Sequence, residues 1–223
     1  MRGFIGALAF ALFAVCFAGE AGPQPFFRKK HLPKRNITIA YLLDGNGFKN
    51  EEAEQTSEVG KWLVLVQKEA QNKLKEVFKV EITFVITEVN ITDSHLKEQI
   101  PYWSSGGFIH AVTFLEHMKM YYQARKNPDI ICVITKSAMY DGNEFGYLAF
   151  YKHTTLCDSM VPMILTYDQK KPNDAGERLS KLVEKSTSSE NTQWRKYFKK
   201  CNKPMKVKNT KSRKPIESSP QQK

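Results

Sequence analysis

Six consecutive residues, Ile130-Ile131-Cys132-Val133-Ile134-Thr135, offer no polar face. A strand with one solvated side alternates apolar and polar residues, so an uninterrupted run of this kind must lie inside a sheet covered on both faces. The segments before it indicate how that sheet is built. Residues 36–44 (NITIAYLLD) read as an apolar, β-branched strand stopped by the turn-forming Asp44-Gly45-Asn46-Gly47. Val59, Trp62, Leu63, Val66, Ala70, Leu74 and Phe78 then recur at helical spacing with lysine and glutamate between them, and residues 80–89 (VEITFVITEV) form a second strand. A polar connection with Pro101 leads to a second helix over residues 107–125, carrying Phe108, Val112, Leu115 and Tyr122 on one stripe and broken by Asn127-Pro128. Strand, helix, strand, helix, strand calls for right-handed crossovers, so the expected fold is three-layer α/β around a mainly parallel, twisted sheet.

Beyond Ser137 the pattern changes. Gly146, Tyr147, Leu148, Ala149 and Phe150 make a strand too short and too exposed for a sheet centre, and are expected at an antiparallel edge. Residues 163–167 supply another strand. A helix begins in NDAGERLSKLVEK, with Asp174 and Glu177 at capping-box spacing and Ala175, Leu179, Leu182 and Val183 on its apolar side.

The ends of the 223-residue chain differ from this middle. Residues 1–21 open with Arg2, continue as an apolar run and finish in small residues, the layout of a secretory signal peptide. No later run approaches the roughly 18 apolar residues that span a bilayer, so the expectation is a secreted, extracellular protein that does not cross a membrane. Residues 22–35, with three prolines and a basic cluster, are expected as an irregular arm, residues 36–201 as a single α/β domain, and residues 202–223 as a basic, disordered tail. Eleven lysines and arginines between Arg195 and Lys223 face only Glu217, which places nearly all of the net charge of +11 there. Lys199, Lys200, Lys203, Lys206, Lys208, Lys211, Arg213 and Lys214, interleaved with a few aromatics, suit heparan-type glycans, anionic membranes or nucleic acid, and secretion argues against nucleic acid.

With Cys16 removed alongside the signal, Cys132, Cys157 and Cys201 remain, an odd number for an oxidising compartment. Cys132 sits in the buried strand as a small hydrophobe, which leaves Cys157 and Cys201 as the expected disulfide; sequence does not decide whether Cys132 is free or links two chains. Asn36-Ile37-Thr38 and Asn90-Ile91-Thr92 are acceptors for N-glycosylation behind a signal peptide. His110 and His117, seven apart, share a helix face that lies opposite the apolar stripe and are read as a solvated pair, and His153 with Cys157 is weak metal evidence. There is no thiol-protease signature, no G-x-S-x-G elbow and no third glycine beside Gly45 and Gly47 for a nucleotide loop.

LLDGNGF after the first strand, DIICVITK before a loop, and then GYLAF, Cys157, Ser159 and an apolar strand resemble, in order and spacing, the N-terminal part of reprolysin-type (metzincin) zinc metalloproteases over residues 36–186. In that family the next helix carries H-E-x-x-H and a third histidine farther on, because zinc needs three protein ligands and a carboxylate beside its water. Here that position reads DAGERLSKLVEK, and no histidine follows His153. The resemblance therefore implies a catalytically dead relative with no metal and no cofactor, in which Glu177 is an ordinary helix charge. A secreted relative without the zinc histidines is similar to salivary proteins of hard ticks, most closely their T-cell immunosuppressant family. What this implies is a non-enzymatic glycoprotein that binds a host immune protein or cell-surface receptor and suppresses T-lymphocyte proliferation. The competing class is a secreted scavenger or glycan-binding protein with no direct lymphocyte effect. In the enzymes, the strand matching Gly146–Phe150 pairs with extended substrate, which implies that its amides here hold a partner's strand.

Overall fold

Strand β1 (Lys34–Leu43) turns Ile37, Ile39, Tyr41 and Leu43 to one side and Ala40 and Leu42 to the other, and all six are buried. Both faces of the sheet are therefore covered at this strand. The computed structural model describes residues 32–188 and 193–202; the signal segment, most of the arm and the tail from Lys203 lie outside the described residues. A 3-10 turn (Asn50–Ala53) leads into helix α1 (Glu58–Phe78), whose N-cap Ser57 accepts a hydrogen bond from the Gly60 amide. Lys79, left-handed at φ 53°, ends the helix, and β2 (Glu81–Ile91) returns parallel to β1. Helix α2 (Ser94–Tyr102), strands β3 (Ser104–Ser105) and β4 (Phe108–His110), and helix α3 (Ala111–Tyr122) form the second crossover. It delivers β5 (Ile130–Thr135), every residue of which is buried. Then come β6 (Met139–Asp141), β7 (Glu144–Tyr147), β8 (Ala149–Tyr151), β9 (Val161–Thr166), α4 (Pro172–Lys185) and α5 (Trp194–Tyr197).

The main sheet has the order β2-β1-β5-β9-β8, with four parallel strands and β8 antiparallel to β9 at one edge. This is the α/β architecture the apolar patterning calls for. On one face α1, α4 and the α5 segment pack over Ile37, Ile39, Tyr41, Cys132 and Ile134; on the other α2, α3 and the start of a small second sheet cover Ala40, Leu42, Ile131 and Val133. Among the described residues no helix is long and apolar enough to cross a membrane.

Asp129, buried just before β5, joins three parts of the chain. Its Oδ2 accepts from the Thr38 amide at 2.8 Å, the Thr38 hydroxyl at 2.7 Å and the Asn202 amide at 3.0 Å. The neighbouring bridge is the Cys157–Cys201 disulfide, 44 residues apart in sequence, and Cys132 is a free, buried thiol. Tyr197 donates from its hydroxyl to the Leu156 carbonyl at 2.5 Å, and burial pushes that hydroxyl's pKa up to about 12, so it remains a donor.

Four expectations are corrected. The strand over Gly146–Phe150 is two strands in two sheets: Gly146 and Tyr147 belong to β7, which pairs with β6, and Ala149 and Phe150 belong to β8, which pairs with β9. Gly146 at φ +88° and the bend at Leu148 carry the chain from one sheet to the other. The helix over 107–125 is confined to Ala111–Tyr122 and buries Ala111, Phe114, Leu115 and Met118, because Phe108 lies in β4 and shifts the buried stripe. Asp174 does not cap α4: with Pro172 at its first turn the helix starts earlier, and Asp174 and Glu177 both lie inside it. The first strand begins at Lys34, two residues into the expected arm.

Candidate functional site

Helix α4 occupies the place after the last parallel strand where the resemblance would put zinc ligands. Its buried residues are Ala175, Gly176, Leu179, Ser180, Leu182 and Val183. Glu177 is exposed and bonded to Lys181 at 2.8 Å, and that hydrogen bond and charge hold its carboxyl below the usual carboxylate range. Such a group is a stable anion on a solvated helix face. Among the described residues no set of three or more histidines, cysteines or acids is placed to hold a metal ion.

The split edge has more to offer a partner. Thr166 donates its amide to the Leu148 carbonyl at 2.8 Å, and the ladder pairs Phe150 with Ile164 and Ala149 with Leu165. Antiparallel alternation then points the amides of Leu148 and Phe150 toward β9 and those of Ala149 and Tyr151 outward. Among the described residues no strand pairs with that outer side of β8. The neighbouring β7 is likewise an edge, paired only with β6. Pro162 fits this arrangement, since its missing donor faces the β8 side just past Tyr151, where no ladder bond is lost.

Aromatic side chains flank these two edges. Phe145 is 61% exposed, with its ring 5.6 Å from Phe108 and 5.3 Å from Tyr140, and Tyr147 meets Phe150 at 5.4 Å. At the opposite edge of the small sheet, before β3, Tyr102 is 72% exposed and stands against Trp103, whose buried indole Nε1 has no hydrogen-bond partner among the described residues. Open backbone donors beside rigid aromatics are the ingredients of a peptide-binding surface. Sequence reasoning located the edge but missed the aromatic patch, which draws Phe108, Tyr140 and Phe145 from three strands.

The histidines are arranged differently from the expected pair. His110 precedes α3 and caps it, its Nδ1 accepting from the Thr113 amide at 3.3 Å. His117 instead meets His95 of α2, Nε2 to Nε2, at 3.0 Å. His153 leaves its Nε2 buried without a partner among the described residues, near Lys119, which donates to Ser159 Oγ at 2.9 Å and to the Met160 carbonyl.

Of the basic residues named from sequence, Lys199 and Lys200 are described and Lys203, Lys206, Lys208, Lys211, Arg213 and Lys214 are not. Lys200 pairs with Asp158 at 3.1 Å. Lys199 joins Arg35, Lys79, Arg195 and Lys196 around Phe78 and Trp194 in an open cleft of about 540 Å³ that no carboxylate lines among the described residues. Asn36 and Asn90 are both exposed, Asn90 donating from its side chain to Glu88 at 2.8 Å.

No family model and no curated protein matches this chain. Among solved structures it is similar to archaemetzincin from Methanopyrus kandleri, with a TM-score of 0.39 and 10% identity over 68% of this chain and 71% of that one.

Proposed function

We propose that this is a secreted, non-catalytic binding protein that engages a host immune protein or cell-surface receptor and suppresses T-lymphocyte proliferation. The observation that carries the binding mode is the unpaired outer side of β8, where the amides of Ala149 and Tyr151 face away from β9 beside Tyr147 and Phe150. An extended segment of the partner adds there as a further strand, with the aromatics as side-chain pockets. The signal-like first 21 residues, the two exposed sequons and the resemblance of the motif order to an inactive metalloprotease support the wider reading.

A second reading, glycan capture, is favoured by the cleft of Arg35, Lys79, Arg195, Lys196 and Lys199, which is cationic and partly aromatic. One experiment separates the two. Mitogen-stimulated T cells are exposed to the purified glycosylated protein and to an Ala149→Pro/Tyr151→Pro variant, which removes the outward donors and spares the β8–β9 ladder. The expected result is suppression by the parent, lost in the variant at unchanged circular dichroism. Suppression retained by the variant removes the edge from the mechanism. No suppression by the parent, together with retention on immobilised heparin at physiological salt, overturns the immunomodulator reading in favour of the glycan one.

A further inference from the structure

His95 lies in the first turn of α2 and His117 in the middle of α3, 22 residues apart in sequence, yet their Nε2 atoms face each other at 3.0 Å. The rings are held by a common wall. Tyr121 stacks on His95 at 4.7 Å and lies nearly parallel to His117 at 6.3 Å; its hydroxyl donates to Asp93 Oδ2 at 2.7 Å, and the Arg125 guanidinium lies 4.2 Å over its ring. Asp93 is fixed in turn, its Oδ1 capping α2 through the Leu96 amide at 2.9 Å. Two imidazoles from different helices are thereby oriented at one point, and His95 is exposed to solvent.

We infer that His95 and His117 form a site for a late first-row divalent cation, with the Nε2 of each ring as ligand. Tetrahedral coordination at zinc–nitrogen distances of about 2.0–2.1 Å places two ring nitrogens about 3.3 Å apart, a few tenths of an ångström from their present spacing. Imidazole suits Zn²⁺, Ni²⁺ and Cu²⁺, whereas Ca²⁺ and Mg²⁺ prefer oxygen. Two ligands leave the remaining positions to water or to a donor from a partner. Each ligand must be the neutral imidazole, so binding weakens as the pH falls. A hydrogen bond between the two rings is the competing account, and it requires that one Nε2 keep a proton.

The test is calorimetric titration of the full secreted chain with ZnCl₂ and with NiCl₂, CaCl₂ serving as control, in the parent and in His95→Gln and His117→Gln. One saturable cation per chain is expected, weakened at least about tenfold by either substitution and absent with calcium. In the parent, both sets of imidazole ring resonances should shift together on adding Zn²⁺, a readout that does not depend on the variants folding. Binding of unchanged strength in both variants would put the cation elsewhere and overturn the assignment; no saturable binding by the parent would leave the pair as a hydrogen bond.

Discussion

Burial holds the imidazoles of His117 and His153 below their ordinary range, with His95 adding to the effect at His117 and Lys119 and Lys152 adding to it at His153. In the unfolded chain both return to about 6.5. Between that value and their lower folded values the unfolded state binds more protons, so stability rises with pH across this window. The contribution is complete above about pH 6.5 and is lost as the pH falls below it. The carboxylates whose folded values are lowered, Glu116 and Glu177, act in the same direction but at more acid pH, so the two effects separate. The thermal unfolding midpoint should therefore fall between about pH 7.5 and pH 5.5. A His117→Gln/His153→Gln double variant should show a flatter profile; a parent profile already flat over that range would contradict the assignment.

At the scale of elements, α1 and α4 meet where Gly176 allows them to. A Cβ at that position would lie 2.6 Å from the Glu69 Cβ and 2.7 Å from the Val66 carbonyl oxygen, a clash with the other helix. Alanine is the better helix former by about 1 kcal/mol, but forcing apart a packed pair costs about 1–3 kcal/mol. Gly176→Ala should thus be neutral to destabilising in urea unfolding, whereas a gain in midpoint would show that the helices separate freely. Much of this packing was legible beforehand: the stripe from Val59 to Phe78 and the side formed by Ala175, Leu179, Leu182 and Val183 are buried as their spacing requires. The all-apolar run at residues 130–135 likewise became the central strand β5. Helix α2 escaped because Pro101 reads as a breaker, yet the carbonyl its missing amide leaves free, that of Lys97, accepts from the Asn46 side-chain amide at 2.9 Å, and only Tyr102 follows it in the helix. Strands β3, β4, β6 and β7 are two to four residues long, too short for a period to register. The His95–His117 pair could not be read from local spacing, since the packing of two separate helices creates it.

Over the whole molecule, the chain segment carrying Trp194 to Cys201 is held by groups far from it in sequence. Its anchors are the Cys157–Cys201 bridge, the Tyr197 hydroxyl on the Leu156 carbonyl, the Asn202 amide on Asp129, and Phe78 packed on Trp194 and Phe198 at 4.5 and 5.0 Å. The bridge closes a long loop, and removing it should cost about 2–4 kcal/mol. Cys132 does not compete for either partner, because it lies wholly buried in β5 and burial pushes its thiol far above the range where a thiolate forms. Replacing both bridge residues should therefore loosen one end of the molecule and leave the sheet in place, since the parallel core is held by residues 37–43, 130–135 and 161–166 on both faces. In a Cys157→Ser/Cys201→Ser variant, amide hydrogen exchange should accelerate first over residues 194–202 and around Leu156, with β1 and β5 exchanging only at the lowered global stability. Equal acceleration across β5 and the 194–202 segment would instead mean that the bridge and the central sheet unfold as one cooperative unit.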